Sequence, residues 1–495
     1  MRIYARTIVD FLDNSAKLYP DKTALFFEKT EYTYSQVKDY SERVAGFLSR
    51  RIKKRDFIGL LMSNRPEFII SYFAIFKAGG IVLLLDQGIS DDNFQKRIIE
   101  TKTHIVLSET KFKEKLSRAK LLKKVDFIDI EKQEFEVSKF KKAALKPSDI
   151  STIIYTSGAT SEPKAARLRH YNVVAATKNI INYLEIRKDD IDVNISSLSH
   201  SFGLGHVHTM FASGGSIILF KNSINLKGIL KTIVEKKATT FAATPAILRL
   251  ITNHLRTEIK ECGNYLRLIQ TNISPLEPDL VRDILGLLPK TKFCYYYGLS
   301  EASRATFLTF NNNLKKIKSV GKSSPSVEIK IVDPFDKKLD VGKSGEICIK
   351  GTIVIKDYLN NTKASKRIKN GWFHTGDYGY LDKDGFLFFQ GRRDDIINIS
   401  GEKVFPEEVE EYIRGVPGIL DAAVVGVPDK LLGETITAFI KVKNKRFDKD
   451  LIIQACREKL ESYKVPKSIQ IIQEIPRTNN GKLRRNVLRS GYELQ

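Results

Sequence analysis

Ile150-Ser151-Thr152-Ile153-Ile154-Tyr155-Thr156-Ser157-Gly158-Ala159-Thr160-Ser161-Glu162-Pro163-Lys164 opens with β-prone residues, passes through small hydroxyl residues and one glycine, and closes on a proline and a lysine. Hydroxyls, backbone N–H groups and a lysine on a loop after a strand make a cradle for phosphate. The pattern GxxxxGK[ST] occurs nowhere in the chain, so this is not the common nucleotide-triphosphate loop. The plain alternative is an ordinary strand followed by a polar turn, and the rest of the chain has to decide between the two.

Before this stretch, residues 35–51 read as a helix with an apolar face at Val37, Val44, Phe47 and Leu48. Residues 57–62, 81–85 and 104–108 read as strands. Residues 66–77 read as a helix with proline in its first turn, and 91–101 as a helix capped by Ser90. Short apolar strands alternating with helices predict a parallel, doubly wound sheet. A lysine-rich surface connection, 111–146, follows, with a short strand near 125–130.

After the opening stretch, helices are expected at 170–183, 202–212 and 226–236, and strands at 193–198 (ending at His200), 216–220, 239–242, 266–271 and 293–296. The last three strands are each followed by a helical pattern, which predicts a second sheet of similar size. From about Ser319 the texture changes to short strands, 328–332, 345–350 and 386–390, punctuated by Gly, Asp and Asn. The final hundred residues read as a separate α+β domain, with helices at 406–414 and near 451–460 and strands at 422–427 and 435–442. The expected class is α/β. Residues 1–393 would form a large N-terminal domain of two doubly wound sheets plus a small β-rich subdomain, and 394–495 a smaller α+β domain.

The totals agree with this. At 495 residues the chain is too long for one simple core. Hydrophobic content of 42% and charged content of 28% are those of a soluble globular protein. The formal charge is +24, carried by scattered lysines, and it suits anionic partners: a nucleotide, coenzyme A, an acidic carrier protein or a membrane surface. No nucleic-acid recognition motif is present. Cys262, Cys294, Cys348 and Cys456 lie far apart, so neither a disulfide framework nor a zinc knuckle is suggested, and buried reduced thiols are expected. Asp10 and Asp13 stand where a signal peptide would need an apolar run. No apolar run approaches the roughly 20 residues that span a bilayer. A cytoplasmic protein, at most peripheral on a membrane, is expected.

Four more short motifs carry chemistry. Tyr295-Tyr296-Tyr297-Gly298-Leu299-Ser300-Glu301 offers an aromatic face for a base, a hydroxyl and a hard carboxylate suited to magnesium. Trp372-Phe373-His374-Thr375-Gly376-Asp377 puts an aspartate after a tight turn, where it could accept both hydroxyls of a ribose. Gly391-Arg392-Arg393-Asp394-Asp395 leads to Ser400-Gly401-Glu402-Lys403 across the domain junction. Pro476-Arg477-Thr478-Asn479-Asn480-Gly481-Lys482 is a near-terminal loop with a lysine after a glycine. Taken singly, these are an aromatic core patch, a turn aspartate, a salt-bridged linker and a basic tail.

Together, in this order and at these distances, they resemble the adenylate-forming superfamily of acyl-CoA synthetases, adenylation domains and beetle luciferases, over essentially the whole chain. The resemblance implies a mobile C-terminal domain that carries the catalytic lysine, Lys482. It makes Thr156, Ser157, Gly158, Thr160 and Lys164 phosphate-loop residues, Tyr297 the adenine-stacking aromatic, and Ser300 a phosphate contact. Glu301 becomes the magnesium ligand, Asp377 and Arg392 the ribose contacts, Asp394 the hinge, and Gly401 part of the loop that serves the thioester step. His200 matches the histidine lining the acyl pocket, with Phe202 after it. The alternative for His200 is a packed strand-end residue. Helix packing is expected for His206 and His208, whose i, i+2 spacing does not suit a helical metal site.

This chain departs from the family pattern at Ala159, Ser161 and Ala165, which removes one hydroxyl contact and narrows backbone freedom. Weakened ATP handling is the expectation. Asn272 and Ile273 stand where the family usually has glycines, and they are expected to reshape the acyl pocket.

The implied reaction is attack of a carboxylate, already ionised at neutral pH with a pKa of about 4–5, on the α-phosphate of ATP. Pyrophosphate leaves, and the acyl group then passes to coenzyme A or to a carrier-protein phosphopantetheine. Ser201 and Phe202 follow His200 where amino-acid adenylation domains carry an aspartate, which favours a fatty or aryl acid over an α-amino acid. Cofactors implied are ATP, Mg2+ and coenzyme A; the acid and possibly a carrier protein are the partners, with a monomer or homodimer expected. A non-catalytic nucleotide or acyl-adenylate binder is the rival, supported only by the altered phosphate loop.

Overall fold

The computed structural model describes residues 4–121, 124–137, 140–156, 163–221, 223–272, 276–400, 402–429, 431–444, 447–477 and 483–493. The chain divides into two compact units. One takes in Met1–Thr156, Lys164–Glu328 and Lys350–Phe373; the other includes Ile329–Ile349 and His374–Gln495.

The first unit is built on two sheets. In the six-stranded sheet the order is Asp126–Asp129, Ile105–Ser108, Phe57–Leu61, Ile81–Leu84, Ile150–Thr156, Lys164–Arg169. All neighbours are parallel except the last pair. The apolar strand Ile81–Leu84 is buried at every position, as a parallel strand covered on both faces must be. Its flanking helices follow from local signals. Pro66–Ala78 starts on proline and stops at Gly79 with φ +92°. Asp91–Thr101 starts at Ser90, whose side chain accepts from the N–H of Asn93 at 3.3 Å.

The nine-stranded sheet runs Lys322–Ser323, Ala302–Thr309, Lys292–Leu299, Leu268–Asn272, Thr240–Ala242, Ile191–Asn194, Ser216–Leu219, Thr23–Phe27, Thr30–Thr33. Its middle is parallel and both ends are antiparallel. One large apolar cluster, including Phe68, Tyr72, Phe73, Phe211 and Leu268, packs within this unit.

In the second unit, strands Val327–Val332, Gly345–Gly351, Trp372–Leu381 and Leu387–Arg392 are neighbours in one small sheet, whose parts at 329–332, 345–349 and 374–392 belong to it. A further sheet pairs Ile419–Asp429 with Gly433–Val442 over helices Pro406–Arg414 and Asp450–Lys459, around Val409, Ile413, Val424, Ile440 and Ile452.

Three sequence expectations are corrected. The strand expected at 193–198 is Ile191–Asn194, because Asn194 turns its side chain to the backbone: its Nδ2 donates to the Gly203 carbonyl and its Oδ1 accepts from the N–H of Ser196. The strand at 293–296 is followed by an antiparallel partner, Ala302–Thr309, and not by a helix. Asp377 lies within the continuous strand Trp372–Leu381, with no turn before it. Cys262, Cys294, Cys348 and Cys456 are all free and buried. Burial pushes the Cys262 thiol up to about 12, and those of Cys294 and Cys456 to about 11. Among the described residues no helix is long and apolar enough to cross a membrane.

Candidate active site

The strands Lys292–Leu299 and Ala302–Thr309 close a tight hairpin in which Leu299 pairs with Ala302, leaving Ser300 and Glu301 at the tip. The turn is made possible by Gly298, where a Cβ would overlap the backbone nitrogen of Arg304. Arg304 itself sits at φ +56°. The tip presents the Glu301 carboxylate, which is 6% exposed. A buried carboxylate needs donors, and Oε1 has two: Thr156 Oγ1 at 3.0 Å and the Tyr358 hydroxyl at 2.8 Å. Burial, and then the adjoining charge of Glu301, raise the Tyr358 phenol well above its ordinary range, so its proton stays on the oxygen facing Glu301. Among the described residues nothing donates to Oε2.

Thr156 ends its strand opposite Lys164, so both flanks of the candidate phosphate loop are fixed by sheet pairing. Ser157, Gly158, Ala159, Thr160 and Ser161 lie outside the described residues, while Ala165 is buried in the following strand. Tyr297 is buried on the hairpin's first strand, and its N–H donates to Thr306 Oγ1 at 3.4 Å.

His200 stands at the N-cap of helix Ser201–Ser213 in extended backbone. Its Nε2–H donates to Asp86 Oδ2 at 2.9 Å. Ser199 Oγ donates to the same oxygen at 3.1 Å, and the N–H of Gly88 to Oδ1 at 2.8 Å. The His200 hydrogen bond, above all, holds the Asp86 carboxyl down at about 2, so Asp86 is anionic. Nδ1, the other ring nitrogen, takes no part in this contact. Asn64 clamps the preceding loop: its Oδ1 accepts from the N–H of Leu198 and its Nδ2 donates to the Ser196 carbonyl, both at 2.9 Å.

Phe202, one helical turn before His206, meets that ring edge-on at 5.2 Å and the Tyr296 ring at 5.9 Å. Asn272 ends its strand in register with Tyr296. Phe202 and Asn272 therefore converge on Tyr296; Ile273 lies outside the described residues. His206 Nδ1 is 3.0 Å from Asp192 Oδ2, and His208 Nε2 is 3.0 Å from the Tyr72 hydroxyl. Both histidines are packing residues, and the described residues hold no group of three metal-ligating side chains.

In the second unit, Asp377 and Arg392 face each other in register across a hairpin, with Arg392 Nε 3.4 Å from Asp377 Oδ1. Asp394 lies in a 3-10 turn, Arg393–Asp395. Gly401 and Lys482 lie outside the described residues. Sequence reading missed Asp86 and Tyr358. Neither carries a short signature, and both matter only through a partner more than fifty positions away.

Magnesium asks for one or two carboxylates beside substrate phosphates and water. Glu301, with one oxygen held by two hydroxyls and the other open, fits that demand.

The sequence profile of the AMP-binding enzyme family matches residues 12–359, and that of the AMP-binding enzyme C-terminal domain matches residues 408–482. The 2-succinylbenzoate–CoA ligase of Bacillus licheniformis is 29% identical over 486 residues, covering 97% of this chain and 99% of its own. The long-chain-fatty-acid–CoA ligase of Bacillus subtilis is 27% identical over 536 residues, covering 99% and 95%. The o-succinylbenzoate CoA synthetase of Bacillus subtilis, solved with its acyl-adenylate intermediate, superposes with a TM-score of 0.89 at 27% identity over 97% of each chain. A structure of that synthetase with ATP and a magnesium ion gives 0.89 at 26% identity, over 96% of this chain and 98% of that one. The fold is that of the adenylate-forming enzymes. The chain belongs to the AMP-binding enzyme family, in its acyl-CoA synthetase branch.

Proposed function

We propose that this chain is an AMP-forming acid–thiol ligase that activates a carboxylic acid as acyl-AMP and transfers it to coenzyme A. The observation that carries the reading is the hairpin tip, where Thr156 and Tyr358 hold the Glu301 carboxylate. Two donors on one oxygen orient a buried acid for a cation, an arrangement that packing alone does not require.

The acid needs no general base, because it is ionised at neutral pH. The difficulty is bringing two anions together. Lys164 and the phosphate loop bear on the ATP phosphates, and Lys482 is assigned to the charge building up between carboxylate and α-phosphate. Magnesium, when bound, would be held at Glu301 and would neutralise phosphate charge. Tyr297 is assigned to the adenine, Ser300 to phosphate, and Asp377 with Arg392 to the ribose. His200, oriented by Asp86, borders the acyl group. The proposed domain boundary falls at residues 393 and 394, with Asp394 as the hinge that withdraws Lys482 and admits the thiol. The acid is a fatty or aryl acid, not an α-amino acid.

The test is pyrophosphate release from ATP against a panel of carboxylic acids, with and without coenzyme A, beside Lys482→Ala. Release with one acid class, enhanced by coenzyme A and lost in the variant, is expected. Release that stops near one turnover with coenzyme A present points to a carrier-protein acceptor. No release with any acid, while ATP still binds, overturns the ligase reading.

A further inference from the structure

Arg304 is 5% exposed, yet among the described residues no carboxylate lies within ion-pair distance of it. Its Nη1 donates to the Ser201 carbonyl and to Ser303 Oγ, both at 2.9 Å, and its Nη2 to the Phe202 carbonyl at 3.2 Å. The guanidinium lies 4.9 Å from the centre of the Tyr296 ring. The Tyr296 hydroxyl is a further acceptor beside the guanidinium, so its described neighbours are all neutral groups. The site is built around this side chain: a Cβ at Gly205 would overlap the guanidinium.

The placement is electrostatically unfavourable for an isolated cation. Ser201 and Phe202 open the helix Ser201–Ser213, so the guanidinium rests on the positive end of a helix dipole. His208, which lines the same space, offers no compensation. His208 is pushed down to about 3, by burial first and by the Arg304 charge second, and stays neutral. A buried charge without a counter-ion is costly unless something supplies one.

Arg304 also lines a cavity of about 40 Å3, shared with Ser201, Ser300, Ser303, Thr152 and His208. That is room for roughly three waters, or for the three heavy atoms of one carboxylate. The hydroxyls of Ser300 and Ser303 join the cavity to the hairpin that bears Glu301.

We propose that Arg304 is a specificity-determining residue that binds a second carboxylate on the acid, so that the substrate is a dicarboxylic acid. This rests on the ligase reading above and narrows it. The reactive carboxylate goes to ATP. The distal one supplies the counter-ion that the Arg304 guanidinium lacks at the start of the helix. A neutral group of the same shape would leave that charge uncompensated, the situation in which a polar site rejects an analogue most strongly.

The test uses the full-length protein, ATP, magnesium and coenzyme A, with dicarboxylic acids of graded length each set against its own half methyl ester. Pyrophosphate release should favour at least one diacid over its half ester by tenfold or more in kcat/KM, and Arg304→Met should remove or reverse that preference. Equal or better turnover of half esters by the natural protein overturns the proposal, as does a diacid preference that survives in Arg304→Met. Thermal stabilisation by the acids alone separates this proposal from the ligase reading. Protein that releases no pyrophosphate but is stabilised by a diacid and not by its half ester sinks the ligase and keeps the Arg304 site. Absence of any diacid effect on melting and on turnover sinks the Arg304 site whatever becomes of the ligase.

Discussion

At the scale of single residues, the site depends on partners more than on isolated groups. Glu301 is fixed by Thr156 and Tyr358. Glu301→Gln is expected to lower acyl-adenylate formation on the order of 10²-fold by removing the negative charge. Tyr358→Phe, which deletes one supporting hydroxyl, is expected to cost ~10-fold, in the range of outer-shell partners. Single-turnover pyrophosphate release separates the two, and a Tyr358→Phe effect as large as that of Glu301→Gln would show the tyrosine acting on substrate directly. Asp86 is the corresponding support for His200. Asp86→Asn is expected to reduce kcat/KM for the acid by about tenfold, one hydrogen bond's worth. The KM for ATP stays unchanged, because nothing in the contact reaches the nucleotide residues. Steady-state kinetics in both substrates checks this.

At the scale of elements, most of the first unit was legible. Ser90 before an amphipathic run and Pro66 before an apolar one mark helix starts wherever they occur, and the structure has helices at both. Two of the failures share a cause. Lys164–Arg169 and Ala302–Thr309 are antiparallel strands added to largely parallel sheets, and alternation of strand with helix hides them. Yet these two hairpins carry Thr156, Lys164, Ser300 and Glu301, so the least legible elements position residues of the proposed site. The motifs could be listed from the sequence but their geometry could not, because Thr156, Glu301 and Tyr358 meet only through long-range pairing. The hairpin turns on Gly298. Gly298→Ala is expected to destabilise the first unit by about 1–3 kcal/mol through overpacking against Arg304. That lowers its melting temperature by several degrees, measurable by calorimetry. An unchanged melting temperature would mean the hairpin has slack that the close contact with Arg304 does not suggest.

At the scale of the whole molecule, the second unit contains a buried charge cluster next to the proposed hinge. Arg485 Nη2 lies 2.7 Å from Glu410 Oε1 and 3.1 Å from Glu407 Oε1, and Nη1 lies 3.4 Å from Asp395 Oδ2. Burial, opposed by Arg485 and reinforced by Glu410 and Asp395, pushes the Glu407 carboxyl up to about 7. An acid whose folded pKa is raised binds its proton more tightly when folded. Its contribution is fully present below the unfolded value near 4.5 and is lost as pH rises through about 7. The second unit is therefore expected to lose stability between those limits, and Glu407→Gln to flatten that slope. Denaturant melts of the full chain across this window, read by a probe in the second unit, decide it. Asp394, by contrast, is exposed, while the residue after it is tied to Arg485. On the proposed hinge, rotation is confined to the backbone before Asp395, because Arg485 anchors Asp395.

The four buried thiols bear on a different hazard. An acyl-adenylate is an acylating agent, and any accessible thiolate on the enzyme would compete with the intended acceptor. Cys262, Cys294, Cys348 and Cys456 are shut away from solvent, and the first two, with Cys456, are held protonated far above neutral pH. The folded chain is thereby guarded against its own product, and activity is expected to survive mild alkylating reagents that inactivate enzymes with exposed sulfur.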